Sequence, residues 1–188
     1  MESMEFEELK FNPNYEIAKE VYPYVIRKKG TTRPIAISHD DKGYEQIHLN
    51  RKTYKLHKVI AAQYLDNPDN LPQIDHRSKI RDDNRVSNLR WVTKSDNDKN
   101  KTRYGGYDAI YVGELTDDAI VVNSYGDHEL EFYYFDNDKF YYYNGVAYRE
   151  LHVGEDKRSG ALYVYAIDTN NKRTKIYLNK FKRDYDLV

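Results

Sequence analysis

No cysteine occurs in the 188 residues. That excludes disulfides and the cysteine-ligated zinc ribbons that brace some small domains, so the fold must rest on packing. No stretch approaches the ~20 apolar residues that span a bilayer, and Met1 to Lys10 is acidic rather than a basic run followed by an apolar one. The expectation is a soluble, intracellular chain with no membrane partner. A strong excess of one charge is also missing: 30 Lys and Arg face 31 Asp and Glu. Taken as an average, this argues against a nucleic-acid ligand.

The average hides segregation. From Arg51 to Arg103 there are 13 basic against 7 acidic side chains, from Tyr111 to Asn171 there are 4 against 12, and from Lys172 to Val188 there are 6 against 2. A basic centre and a basic tail flank an acidic stretch, as expected if nucleic acid meets only part of the surface. Solvated faces would give the same pattern, so charge alone decides nothing.

Short runs with apolar–polar alternation (Val21 to Ile26, Pro34 to Ser38, Tyr44 to Leu49), punctuated by Gly30 and Asp40-Asp-Lys-Gly43, predict a small antiparallel meander. In Lys55 to Tyr64 the residues Leu56, Val59, Ile60 and Tyr64 fall at helical spacing. The order then predicted is a strand at Gln73-Ile-Asp-His76, a charged loop, a strand at Leu89-Arg-Trp-Val92, and a short helix announced by Thr93-Lys-Ser-Asp96. After Tyr104-Gly-Gly106 the runs are strand-like, so the fold class is α+β with a mostly β C-terminal part. Leu162 to Tyr185 echoes Tyr44 to Ala62: a strand, a polar turn, a basic strand, then a helix.

The chemistry concentrates in Asp75-His76, Asn84, Asn88-Leu-Arg-Trp-Val-Thr93 and Asn97. Phosphodiester hydrolysis needs an activated water, neutralised phosphoryl oxygens and a stabilised leaving oxygen. A neutral imidazole near pH 7 suits the first task and is assigned to His76. One carboxylate and one amide oxygen suit a hard cation such as Mg²⁺, assigning Asp75 and Asn97 as metal ligands. Asn88, at the loop's end, suits an amide that braces the loop carrying His76.

The run Gln73-Ile-Asp-His-Arg-Ser-Lys-Ile-Arg-Asp-Asp-Asn-Arg-Val-Ser-Asn-Leu-Arg-Trp-Val-Thr-Lys-Ser-Asp-Asn97, with Leu56 to Leu65 and Asn67 to Pro72 as its lead-in, resembles the His-Asn-His (HNH) homing endonucleases of phage and intron origin. Upstream, Asn14 to His57 resembles the small β module that precedes the motif in the same family. The resemblance implies a ββα-metal nuclease core at 55–105, preceded by an N-terminal β DNA-binding module at 1–54 and followed by a β-rich domain at 106–188. It implies cutting or nicking of double-stranded DNA, with His76 as general base, Asn88 as the middle letter of the name, and one Mg²⁺ or Mn²⁺ on Asp75 and Asn97. A phage or viral origin would place the chain in a host cytoplasm. Two positions depart from the pattern: Lys79 stands where a glycine is usual, and Asp83-Asn84 where Asn-Asn is usual. The alternative is an HNH-derived regulator that binds DNA without cutting it.

Candidate DNA contacts are Arg85 and Arg90 in the active loop, Arg85 ahead of Arg90, then Arg27, Lys28, Arg33, Arg51, Lys52 and Lys55 in the sheet module, and Lys172, Arg173 and Lys175 in the basic tail. Trp91 is expected in the core, His57 packed or capping rather than on a phosphate, and the aromatic runs Phe132 to Phe135 and Phe140 to Tyr143 in core packing or a protein contact rather than in base stacking. The acidic Tyr-rich domain is the candidate surface for a protein partner or self-association.

Overall fold

A computed structural model of the chain describes residues 4–100 and 109–187, with side chains to residue 98 in the first stretch. The predicted boundary at Tyr104-Gly-Gly106 lies outside these residues. Two compact units result, residues 1–107 and 108–188. Among the described residues no helix is long and apolar enough to cross a membrane.

In the first unit, β1 (Phe6–Glu8), β2 (Tyr15–Ala18) and β3 (Ile26–Lys28) form one antiparallel sheet. A second contains β4 (Ile37–His39), β5 (Glu45–Leu49) and β6 (Lys52–Lys55). The single expected meander is thus two three-stranded sheets, and the strand expected from Val21 starts only at Ile26. Pro23 and Pro34 offer no N–H to a ladder and fall outside the strands. Between β5 and β6, Asn50 and Arg51 both take positive φ, 47° and 65°, as a two-residue hairpin turn requires. Tyr15 staples this turn to the first sheet: its hydroxyl donates to Asn50 Oδ1 at 2.9 Å and accepts from the Asn50 N–H at 3.0 Å.

The chain leaves β6 directly into α1 (Leu56–Tyr64), whose buried face carries Leu56, Val59 and Ile60 at the predicted spacing. These three pack with Leu9, Ile17, Ile26, Ile47, Leu49 and Leu89 into one core. Each such side chain contributes about 1.5–3 kcal/mol when fully buried, and the core joins both sheets and the helix. Gln63, buried near the end of α1, ties the helix to β1: its amide donates to Glu7 Oε1 and to the Glu8 carbonyl, and its oxygen accepts from the Lys10 N–H. Beyond α1, β7 (Gln73–His76) and β8 (Leu89–Val92) form an antiparallel pair, followed by α2 (Lys94–Asn100), which packs on β7. Trp91 is half-buried, with its indole N–H donating to the Leu65 carbonyl at 3.3 Å.

The second unit begins with β9 (Tyr111–Val112), β10 (Ile120–Val121), β11 (Ser124–Tyr125) and β12 (His128–Glu129). It continues through β13 (Tyr133–Asp136), β14 (Lys139–Tyr143), β15 (Tyr148–Glu150), β16 (Gly154–Glu155), β17 (Leu162–Ile167) and β18 (Arg173–Tyr177) to α3 (Leu178–Asp184). Five strands make an antiparallel sheet in the order β10-β13-β14-β15-β9. Part of the aromatic runs enters its core together with α3: Phe135, Phe140 and Phe181 meet with ring centroids 4.9 Å apart, and Tyr133 and Tyr142 are buried, whereas Phe132 is exposed.

The sequence echo has a structural counterpart. β16, β17 and β18 form a three-stranded sheet that runs directly into α3, as β4, β5 and β6 run into α1. In one, buried Ile47 pairs with Tyr54, two residues before the helix; in the other, buried Val164 pairs with Ile176, again two residues before it. The same plan occurs once in each unit.

Candidate active site

Asp75 and His76 are the last two residues of β7, and both are buried. The loop that follows is knitted to itself rather than left open. The Arg77 N–H donates to the Asn88 carbonyl at 2.8 Å, the Ser78 N–H to Asn88 Oδ1 at 2.8 Å, and Asn88 Nδ2 to the Asp83 carbonyl at 2.7 Å. Asn88, at the loop's end, therefore ties down the loop's start and its middle with one side-chain amide. Lys79 takes φ +62° and donates its N–H to the His76 carbonyl at 2.9 Å. The left-handed conformation a glycine would adopt freely is kept here by a lysine.

The His76 ring lies between two kinds of neighbour. Its Nε2 is 3.0 Å from Asn84 Oδ1, and Asn84 Nδ2 donates to Glu45 Oε2 at 2.7 Å. His57, from α1, meets it edge-on with centroids 5.0 Å apart, and the Tyr44 ring lies 6.0 Å away. Burial pushes the His76 pKa below its ordinary value, while the bond to Asn84 works the other way. A lowered pKa keeps the imidazole neutral near pH 7, the form that can accept a proton. Burial likewise holds His57 down to about 3, helped by the charges of His76, Lys58 and Lys55.

Arg90 grips Asp75 Oδ2 with Nη2 at 2.6 Å and Nε at 3.0 Å. Asn97 lies in the first turn of α2, which Thr93 and Asp96 cap reciprocally: Asp96 N–H donates to Thr93 Oγ1 at 3.1 Å, and that hydroxyl donates to Asp96 Oδ2 at 2.7 Å. The Asn97 amide nitrogen is bonded to Gln73 Oε1 at 2.5 Å, two residues before Asp75 on β7. That bond engages nitrogen and not oxygen, so the end of the amide suited to a cation is the other one. Among the described residues no group of three or more acidic or histidine side chains forms a metal cage. A carboxylate and an amide oxygen are nevertheless the donor types a hard divalent cation takes, and the residues fit that group.

Several cations expected on DNA are engaged within the protein. Arg85 makes a two-pronged bond to fully buried Asp83, with Nε to Oδ1 at 2.8 Å and Nη2 to Oδ2 at 2.7 Å, and Arg90 holds Asp75. Arg27 bonds Glu16 at 2.6 Å and covers the Phe6 ring, and Lys55 pairs with Asp40. Lys175 pairs with Asp156 at 2.8 Å, and Arg173 stacks over Tyr165 at 3.3 Å. Lys28, Arg33, Arg51, Lys52 and Lys172 are exposed. Arg51 lies in the β5–β6 turn and Lys52 begins β6 beside it.

The motif reading did not include Glu45, Tyr44 or His57 among the groups around His76. For Glu45 a signal existed: it is in register with Ile47 and Leu49, the inward-facing positions of β5, where an acid is out of place unless it has a partner.

Residues 54–99 match the HNH endonuclease family. The phage enzyme DNA endonuclease I-HmuI, from Bacillus phage SP01, is 30% identical over 107 residues, covering 54% of this chain and 60% of that protein. Two uncharacterized HNH endonucleases of Acanthamoeba polyphaga mimivirus also match. L245 is 28% identical over 93 residues, covering 47% of this chain and 27% of that protein. L247 is 33% identical over 101 residues, covering 51% and 25%. The chain thus spans between a quarter and three fifths of the length of these curated relatives. No solved structure matches it significantly.

Proposed function

We propose that this chain, an HNH endonuclease family member by residues 54–99, is a metal-dependent DNA endonuclease of the homing type, phage- or virus-encoded and cutting or nicking double-stranded DNA. One observation carries the reading: Asp75 and His76 are the two buried residues that end β7, and Asn97 is bonded to the same strand through Gln73. β7, β8 and α2 then read as the ββα-metal core. Residues 1–54 read as its DNA-binding module, 55–105 as the nuclease core and 106–188 as an accessory β domain.

His76 is the general base. It takes a proton from a water whose oxygen bonds to phosphorus as the bond to the 3′ oxygen breaks, and solvent returns a proton to that leaving oxygen. Asp75 and Asn97 would hold one Mg²⁺ or Mn²⁺, which when bound neutralises charge on the phosphoryl and leaving oxygens. Asn88 keeps the loop in shape so that His76 stays aimed. Exposed Lys28, Arg33, Arg51, Lys52 and Lys172 are the phosphate contacts the geometry favours. Arg27, Lys55, Arg85, Arg90, Arg173 and Lys175 reach a phosphate only by sharing or leaving the partners they hold.

The test is supercoiled plasmid with and without Mg²⁺, comparing the native chain with His76→Ala. Metal-dependent nicking that the substitution abolishes is expected; nicking that survives it sinks the assignment. The Asp75–Arg90 ion pair, which occupies a proposed ligand, favours a second reading: a regulator that binds DNA and does not cut. Retained DNA binding with no nicking at any Mg²⁺ or Mn²⁺ concentration would select it. The acidic unit, which exposes Tyr111, Val121, Phe132 and Val146, is the proposed surface for a protein partner or self-association. The site of action is proposed to be a host cytoplasm, with the chain soluble and intracellular.

A further inference from the structure

Glu45 lies outside the residues that match the HNH family, which start at 54, yet its carboxylate is the outer end of a hydrogen-bond chain that finishes on the His76 ring. Glu45 Oε2 accepts from Asn84 Nδ2 at 2.7 Å, and Asn84 Oδ1 is 3.0 Å from His76 Nε2. The direction of this chain is fixed by its outer end. An ionised carboxylate only accepts, so the amide nitrogen of Asn84 must face Glu45 and its oxygen must face the ring. A carbonyl oxygen also only accepts, so Nε2 must carry the ring proton. A neutral imidazole has one such proton, which leaves the lone pair on Nδ1.

We propose that Glu45, acting through Asn84, is a positioning residue that fixes His76 in its Nε2–H tautomer and thereby makes Nδ1 the atom that takes the proton from water. The inference rests on the reading of His76 as general base. The chain is well anchored at each member. Glu45 is on the inward register of β5, beside core residues Ile47 and Leu49. Asn84 is 1% exposed, and its own carbonyl accepts from the Tyr24 hydroxyl at 3.0 Å. Turning the Asn84 amide over would set its oxygen against the carboxylate and its NH₂ against Nε2, favouring the opposite tautomer. Glu45 is what opposes that flip. When the ring is protonated both nitrogens donate, and the same chain keeps a carboxylate within two bonds of the new positive charge.

The experiment is long-range ¹H–¹⁵N correlation on the full chain labelled at histidine nitrogen, without metal or DNA, at about pH 8, with His76 assigned by its loss in His76→Ala. The native chain should show a protonated-type Nε2 and a lone-pair-type Nδ1. Glu45→Ala should mix the tautomers or shift them toward Nδ1–H, and should lower kcat for nicking about tenfold, a fraction of what a general base supplies, with DNA affinity unchanged. Glu45→Gln, whose amide oxygen still accepts from Asn84, should restore most of the native tautomer and rate. A native His76 found as Nδ1–H overturns the proposal, and that spectrum needs no variant to fold. Unchanged tautomer in Glu45→Ala, or equal losses in the Gln and Ala variants, also overturns it. Nicking that persists in His76→Ala while Glu45 still governs the tautomer would remove the general-base reading alone.

Discussion

Arg90 lies directly across the β7–β8 ladder from Asp75 and holds a single oxygen of its carboxylate, Oδ2, through two nitrogens. The guanidinium screens this buried acid, and if Asp75 holds the proposed metal the two cations compete for the same carboxylate. Arg90→Gln should therefore lower the Mg²⁺ concentration for half-maximal nicking by about three- to tenfold, since a unit charge a few ångströms from a ligand is worth on the order of 1 kcal/mol or more. The same substitution should destabilise the fold by about 1–3 kcal/mol, because Asp75 loses a charge-assisted bond. A Mg²⁺ titration at saturating DNA, beside a urea unfolding curve, checks both. A raised Mg²⁺ requirement would mean that Arg90 assists the metal site rather than competing with it.

Lys79 keeps φ at +62° in the turn after His76. Left-handed backbone costs an ordinary side chain about 1 kcal/mol and a β-branched one more. Lys79→Gly should be neutral or stabilising by up to about 1 kcal/mol, the relief offset in part by glycine's greater freedom when unfolded. Lys79→Val should destabilise by at least about 1 kcal/mol. Denaturant midpoints at constant slope decide the order, and a valine variant as stable as the native chain would show that the turn bears no such strain.

Not all basic residues should count equally on DNA. Arg51 in the β5–β6 turn and Lys52 at the start of β6 are exposed, whereas Lys175 is already neutralised by Asp156, which holds its pKa above the ordinary lysine value. Removing a cation that neutralises one phosphate reduces the slope of log K against log salt by about 1. Arg51→Ala and Lys52→Ala should each flatten that slope by about one unit, and Lys175→Ala should leave it nearly unchanged. Fluorescence anisotropy across a salt series measures it, and a slope flattened by a full unit in Lys175→Ala would show that the Asp156 pair opens on DNA.

Periodicity in the sequence foretold some parts of this structure and not others, for physical reasons. α1 was legible because Leu56, Val59 and Ile60 repeat at the helical period on one buried face. β7, β8 and α2 followed from a local motif whose Thr93–Asp96 cap is a short-range interaction. The division of residues 6–55 into two sheets was not legible, because it depends on which strands pair across the core, and Tyr15 reaches Asn50 across 35 residues of chain. Arg85 and Arg90 read as free cations, since an acid two residues away in a turn, or opposite on a neighbouring strand, is invisible to a count of charge. Glu45 shows the same limit from the other side. Its link to His76 crosses 39 residues to Asn84, and only its place on the inward face of β5 hinted at a partner.

His57 should make the fold acid-sensitive. Its ring is buried against His76 and Tyr44, Nδ1 has no hydrogen-bond partner among the described residues, and burial holds its pKa down to about 3. In the unfolded chain the same ring titrates near 6.5. Above that pH both states are neutral at this residue and nothing is lost. As pH falls from about 6.5 toward 3, the unfolded chain binds a proton that the folded one refuses, and stability drops by about 1.4 kcal/mol per pH unit. Phenylalanine preserves a ring of similar size and removes both the titration and the unpartnered nitrogen. His57→Phe should therefore match or exceed native stability at pH 7 and lose stability less steeply below pH 6, by about one proton's worth of slope. His76, whose pKa is lowered for the same reason, keeps its own share of the acid sensitivity in that variant. Urea unfolding at a series of pH values reads the difference directly, and parallel curves for the two proteins would show that His57 is protonated in the folded chain.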